Sequence, residues 1–445
     1  MNFENIKSIL LTLLVILSLV LTWSLWTYQP QLAEIKRPDY IRDVNIGFEK
    51  EPISLILPQQ ILFHKDHHTY GTMEGSEIRR IQSKLRQWSF DEFVDISARE
   101  RDQYLDFVHG QEGIEVIFPT EIPIETFREI IKIEDKEIRN ISFDRIIIPL
   151  NEGKDELPIA YFVSYEDQYI YQASLNNFSQ TGFKTEIYNR AISYPKYISF
   201  KIDPFNTLFI QENSVQVNQL TYYSKSLSTE DFKDALFTNP SNVKRDIETV
   251  NEETYSDGSR ALLIKDGLLR YINPTSESDE GIKSSGDYIQ KSIDFVNDHS
   301  GWTDKYQFTN WDPNKRSTLF RLHINGVPVF HHSKLTSVYL EWDGTGLFDI
   351  YQRPLFKLHL PIDSETTKIT LPPGQRVIDI IKSSPYVNIQ KVKNITVAYQ
   401  MTKDDTKVTV EPIWCIFENG DWKKVVFDDT DTKGIGGTII GLEKN

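Results

Sequence analysis

Hydrophobic positions run unbroken near the start of the chain and then break into short alternating stretches. No charged residue occurs from residue 9 to residue 26. The segment 6–26, IKSILLTLLVILSLVLTWSLW, reaches about 31 Å as a helix at ~1.5 Å per residue, close to the thickness of a bilayer hydrocarbon core. Trp23, Trp26 and Tyr28 cluster at its far end, where amphipathic rings prefer the membrane–water interface. Pro30 stops the helix. Residues 1–28 therefore read as a short N-terminal end plus one uncleaved transmembrane anchor, with 29–45 as a spacer. A cleaved signal peptide fits less well, because the apolar run exceeds the usual ~7–15 residues and no small-x-small site follows.

Beyond the spacer the pattern predicts an α+β protein with antiparallel sheets. Residues 53–63 read as a strand interrupted by Pro58. Ile78, Ile81, Leu85 and Trp88 give one apolar helix face behind a cap at Ser76. Ser97 and Glu100 have capping-box spacing for a second helix through Tyr104, Leu105 and Val108. The segment GIEVIF, ending at Phe118, resumes strand character, and a first α+β domain is placed at 46–150. From there FDRIIIPL, IAYFVSY, YIYQASL and YISFKI alternate as half-buried strands do.

Residues 229–237, 286–299 and 375–383 read as short helices, each followed by a strand meander with a hairpin signal. Those signals are Asp266-Gly267, Asn325-Gly326, Asp343-Gly344 and Asn419-Gly420, dipeptides that supply the positive φ angles of a type I′ turn. The chain thus divides into a middle α+β domain at 151–285 and a C-terminal one at 286–445, loosely repeat-like in form.

Composition narrows the function classes. The 445 residues carry 49 Lys+Arg against 64 Asp+Glu, a net charge of −15. That balance, with no long basic run, argues against nucleic acid as a partner, since such binding depends on clustered cations. The one cysteine, Cys415, excludes an intramolecular disulfide without fixing the compartment. It sits in an alternating strand between Trp414 and Ile416 and reads as a buried small hydrophobe.

Candidate chemistry is sparse. His64, Asp66, His67 and His68 are the densest ligand-like cluster, but neighbours on a strand or loop point apart, and the group reads as a solvated polar loop. His331-His332 fails for the same reason. No nucleophile elbow, zinc-protease helix, phosphate loop or dinucleotide fingerprint occurs. No catalytic, cofactor-binding or metal residue is assigned, and no cofactor is expected.

The anchor carries the remaining polar signal. At ~100° per residue Ser8, Thr12, Ser18 and Thr22 fall within one arc of about 120°, with Val15 and Leu19 between them. Small hydroxyl residues let helices approach and hydrogen-bond inside a membrane; Ser and Thr also bond back to their own helix. Orientation stays open on charge alone. Lys7 precedes the span, whereas Lys36, Arg37 and Arg42 follow it, and a literal count leaves the large part inside the cell.

The opening ENIKSILLTLLVILSLVLTWSLWTYQP resembles the start of the YycH family, bitopic regulators of the essential cell-wall two-component system of low-GC Gram-positive bacteria. The match is close over residues 7–15 and 22–28. The late segment Val410-Glu411-Pro412-Ile413-Trp414, followed by a hairpin, resembles that family's closing meander and that of its sister family YycI. The resemblance implies a cytoplasmic N-terminus, one span in the cell membrane and three extracytoplasmic α+β domains. It implies a sensor histidine kinase and the sister regulator YycI as partners, met largely through transmembrane helices. The implied output is non-enzymatic regulation of cell-wall metabolism. Two alternatives remain: an extracytoplasmic ligand-sensing domain, which needs a pocket of convergent polar groups, and a membrane-tethered cell-wall hydrolase, which needs a catalytic constellation.

Overall fold

The computed structural model describes residues 3–27, 46–136, 138, 141–150, 158–249, 251–274, 284–343, 348–428 and 437–444. Residues 1–43 and 44–445 form two separate units. The first contains one helix, Phe3–Thr27, of 25 residues. Its described side chains, at Lys7 and from residue 11 to residue 23, are all exposed. Taken over the described residues, no helix is long and apolar enough to cross a membrane.

The second unit is α+β and rich in antiparallel pairing. Among the described residues a ten-stranded sheet runs Thr207–Gln211, Lys196–Lys201, His68–Thr72, Gln60–Lys65, Gly113–Pro123, Ser142–Pro149, Ile159–Ser164, Tyr169–Asn176, Ser89–Asp95 and Lys132–Ile133. Only the last pair is parallel. A second sheet, of sixteen strands among the described residues, takes the strands from Val215–Ser226 onward and is parallel among them only where Val327–Phe330 meets Val392–Lys403.

Side chains of period two give the first sheet two different faces. Ile61, Phe63, Ile114, Val116, Ile146 and Ile148 enter the main core, which continues through Phe143 and Phe162 into the second sheet's Leu322, Leu340 and Tyr351. The helix Ser285–His299 bridges this core. Ser284 and Asp287 close a capping box at its start, and Ile289, Ile293 and Val296 are buried. Tyr161 and Val163 lie among the reverse face's apolar residues with Ile147. The reverse face also presents Leu62 and Ile117.

Three of the hairpin dipeptides form two-residue turns with both φ angles positive: 49° and 79° at Asp266-Gly267, 54° and 89° at Asn325-Gly326, 54° and 85° at Asn419-Gly420. Asp343-Gly344 runs beyond the described residues. Gly326 has a second reason to be glycine, since a Cβ there would lie 2.5 Å from the Met73 carbonyl oxygen. That hairpin tip docks on the first sheet's connecting segment, where the Gly75 amide faces the Asn325 carbonyl at 3.4 Å.

Other expectations are corrected. Residues 53–63 are not one strand. Pro52 opens a short helix, Pro52–Leu55, and the strand starts only at Gln60. Proline suits a first helical position and cannot donate within a ladder. Ser76 does not cap its helix, which spans Gly75–Leu85 with Glu74 at the cap; its hydroxyl donates to Glu74 Oε1 instead. The helix expected after Ser97 is broken into Ser97–Glu100, Arg101–Gln103 and Tyr104–His109. The Ser97 hydroxyl is drawn away by Asp95 Oδ1 at 2.5 Å and accepts the Ile170 N–H at 2.9 Å, so no capping box forms.

A buried histidine in the second sheet sets a pH dependence. His323 lies in the fully buried strand Ser317–Ile324, its Nδ1 3.0 Å from the Arg321 carbonyl oxygen. Burial, with the nearby Arg321 cation, pushes its pKa from 6.5 down to about 4. The unfolded chain therefore takes up this proton first. Stability is present in full above pH 6.5 and is lost as pH falls toward 4, about 1.4 kcal/mol per unit. Between pH 7 and pH 5, His323→Gln should lose about 2 kcal/mol less in urea unfolding than the parent. Equal losses would remove His323 as the cause.

Candidate functional site

On the helix Phe3–Thr27 the structure places Thr12, Val15, Ser18, Leu19 and Thr22 among exposed residues. The Thr22 hydroxyl donates to the Ser18 carbonyl oxygen at 2.8 Å, the back-bonding open to Ser and Thr in a helix. That bond leaves the Thr22 oxygen able to accept from a neighbour. Trp23 is 70% exposed. Ser8 and Trp26 lie on the helix with side chains outside the described ones, and Tyr28 lies outside the described residues.

Reading the sequence by motif and spacing missed a buried polar cluster in the second unit. It sits on the reverse face of the first sheet. Gln60–Lys65 pairs with Gly113–Pro123, placing Leu62 opposite Glu115 and His64 opposite Gly113. Gly113–Pro123 in turn pairs with Ser142–Pro149, placing Ile117 opposite Arg145. His64, Glu115 and Arg145 therefore share a face as diagonal neighbours. The helix Tyr104–His109 adds His109 from above.

Glu115 is fully buried. Its Oε1 accepts from Arg145. Its Oε2 lies 3.1 Å from His64 Nε2 and 3.0 Å from His109 Nδ1. Each imidazole meets a hydroxyl on its outer nitrogen: Thr69 Oγ1 at 3.3 Å from His64 Nδ1, and Tyr165 OH at 2.9 Å from His109 Nε2. The Tyr165 oxygen accepts the Thr207 N–H at 2.8 Å and lies 3.3 Å from the Thr207 carbonyl. The Arg145 guanidinium stacks on the Tyr165 ring at 3.4 Å from its centroid, and Asp144 Oδ2 is 3.6 Å from Arg145 Nε.

The electrostatics follow from burial beside fixed charge. Burial alone would raise the Glu115 pKa, but His109, Arg145 and the imidazole hydrogen bonds outweigh it and hold the carboxyl well below its usual range. Burial lowers His109, partly offset by Glu115. Burial raises Asp144 to about 6 against the pull of Arg145. Burial also pushes the Tyr165 phenol up to about 12.

The expected solvated loop is thus split. Asp66 and His67 form the hairpin turn, with φ of 51° and 60°, and His67 and His68 are exposed. His64 is not in the loop: it is a buried strand residue. His331 and His332 lie with ring centroids 4.3 Å apart. Cys415 is fully buried, and burial raises its thiol pKa, leaving an inert packing residue.

A cleft of about 450 Å³ opens where the two sheets meet, lined by Tyr197 and Phe209 on one side and Val327, Tyr399 and Trp414 on the other. Two polar groups that line it are already engaged. Trp414 Nε1 donates to the Pro372 carbonyl at 2.9 Å, and Tyr399 OH to the Asn218 carbonyl at 3.0 Å.

Two α+β modules, each built on its own sheet and joined through one core, define the class of protein, and two family models match the chain with their boundary close to the passage from the first sheet to the second. The family model described as "YycH protein, N-terminal domain" matches residues 4–190, and that described as "YycH protein, C-terminal domain" matches 205–432. The chain belongs to the YycH family. It is 28% identical over 443 residues to the "Two-component system WalR/WalK regulatory protein YycH" of Bacillus subtilis (strain 168), covering 94% of this chain and 96% of that protein. Its fold is similar to the crystal structure of YycH from Bacillus subtilis, with a TM-score of 0.71 and 21% identity over 85% of this chain and 98% of that one.

Proposed function

We propose that this chain is a non-enzymatic accessory protein that regulates a sensor histidine kinase of a cell-wall two-component system. The observation that carries the reading is family membership across both modules, together with the regulatory role in the name of its Bacillus subtilis relative. In this reading the N-terminus is cytoplasmic, the first helix crosses the cell membrane once, and the second unit is extracytoplasmic.

The anchor is supported by physical chemistry. The large apolar side chains between residues 11 and 23 are 49–70% exposed around the whole helix. A helix apolar on every side needs hydrocarbon or a protein core around it. The sequence from residue 9 to residue 26 is long enough to find it in a bilayer. The stripe Ser8, Thr12, Val15, Ser18, Leu19 and Thr22 then faces the kinase's membrane helices or those of YycI. Trp23, Trp26 and Tyr28 fix its depth at the interface. Regulation requires only that these contacts differ between two arrangements of the kinase.

Two measurements test the two levels of the reading. Removing the gene should change transcription of the genes under the kinase's response regulator, and unchanged transcription would reject the regulatory role. Thr12→Leu/Thr22→Leu in the full chain should reduce co-purification with the kinase several-fold at equal expression, since interhelical contacts of this kind contribute roughly 0.6–2 kcal/mol each. Unchanged association and unchanged transcription would remove the stripe while leaving the role intact.

A further inference from the structure

We propose that His64, His109 and Glu115 form a binding site for one divalent cation of the zinc type. The inference stands on geometry and is independent of the regulatory reading. One nitrogen from each imidazole and one carboxylate oxygen lie within 4.8 Å of one another. Tetrahedral zinc, with bonds of about 2.0–2.1 Å, sets neighbouring ligand atoms about 3.3 Å apart. The Glu115 oxygen is 3.1 Å from His64 Nε2 and 3.0 Å from His109 Nδ1, so seating an ion asks these two contacts to part by a few tenths of an ångström and the two imidazole nitrogens, within 4.8 Å of each other, to close toward the same ~3.3 Å spacing.

Two features separate this cluster from a carboxylate that is merely neutralised. First, neutralisation is already complete on the other oxygen, where Arg145 donates to Oε1. The two histidines come from a strand and a helix, yet both aim at Oε2. Second, the outer nitrogen of each ring meets a hydroxyl, which donates or accepts as required. When the inner nitrogens carry the protons, they donate to Glu115, and the Thr69 and Tyr165 hydroxyls donate to the outer nitrogens.

When a cation takes the inner nitrogens, each imidazole proton moves to the outer nitrogen. The outer nitrogen then donates to the hydroxyl oxygen, and the Tyr165 hydroxyl turns to the Thr207 carbonyl, 3.3 Å away. No net proton is released, and the Tyr165 hydroxyl keeps an acceptor in both states. Outer partners of this kind orient metal-bound histidines.

Ligand softness selects the ion. Two imidazoles and one carboxylate suit zinc and its first-row neighbours, whereas magnesium and calcium prefer all-oxygen sites. Phe209 packs its edge against both rings, at centroid distances of 5.6 Å and 4.9 Å. The imidazoles, 9% and 10% exposed, leave a narrow approach from solvent. The bound ion would tie the strand Gln60–Lys65, the helix Tyr104–His109 and the strand Gly113–Pro123 at one point.

The test uses the full chain in detergent, stripped of metal and titrated calorimetrically with zinc chloride, with magnesium chloride as control. The expected result is one zinc per chain, no magnesium binding and a melting temperature raised by zinc alone. His64→Gln and His109→Gln should each weaken zinc binding on the order of 100-fold, and His67→Gln/His68→Gln should leave it unchanged. Tyr165→Phe, which keeps the ligands and removes an outer partner, should weaken it about tenfold. Cobalt(II) gives a readout independent of folding energetics: the visible absorption of a tetrahedral complex should appear in the parent and vanish in His109→Gln. Absence of saturable zinc binding, or stoichiometric binding that survives both single histidine variants, would overturn the proposal.

Discussion

Arg321→Met should destabilise the protein by about 3–5 kcal/mol, the usual cost of removing one partner from a buried ion pair. Arg321 and Glu443 meet through two parallel bonds, Nη1 to Oε2 and Nη2 to Oε1, both 2.9 Å, with side chains 2% and 1% exposed. Arg321 also lies over the Phe330 ring at 4.1 Å, and Glu443 Oε2 accepts the His331 N–H at 3.3 Å. Without the guanidinium, Glu443 is an uncompensated charge under the sheet. Its strand, Gly437–Lys444, pairs with Asp421–Phe427. Chemical unfolding of the parent, Arg321→Met and Arg321→Met/Glu443→Leu checks the argument. The double variant should recover most of the loss, because replacing a whole buried pair by apolar groups is nearly neutral. A single variant that costs under about 1 kcal/mol, or a double variant no better than the single, would show that the pair does not hold the strand.

The α+β class and the antiparallel sheets were legible because they rest on local chemistry. Asp266-Gly267, Asn325-Gly326 and Asn419-Gly420 make their turns because both residues tolerate positive φ, a property of two side chains and nothing else. The helix Ser285–His299 announces itself by its apolar face and its capping serine. Local reading failed where a neighbour competed. At Ser97 the spacing to Glu100 was right, but Asp95, two residues earlier, captured the hydroxyl.

The cluster around Glu115 was illegible for a different reason. Its members are 51, 6 and 30 residues from the glutamate, and the pairing of three strands, with the helix Tyr104–His109 above them, brings them together. His64 was grouped with His67 and His68 by adjacency, yet the turn at Asp66-His67 separates them. A signal did exist. Glu115 stands between Ile114 and Val116, and Arg145 precedes three isoleucines. A charge inside an apolar strand must find a partner or destabilise the fold, so each predicts the other.

That difference in construction separates the second large effect from the first. Arg145→Met should also cost about 3–5 kcal/mol, since it strands a fully buried carboxylate. Here, however, removing the second charge should not restore stability. Glu115 is bonded by Arg145, His64 and His109 together, whereas Glu443 has one cation and one backbone amide. In Arg145→Met/Glu115→Leu the inner nitrogens of both imidazoles lose their acceptor. A buried donor left unsatisfied costs about 1–3 kcal/mol. The double variant should therefore remain at least about 2 kcal/mol below the parent. Only a variant that also replaces His64 and His109 by apolar residues should approach parental stability. Matched urea unfolding of the two double variants makes the comparison direct. Full recovery in Arg145→Met/Glu115→Leu would reduce the cluster to an ordinary ion pair, and the histidines to packing residues.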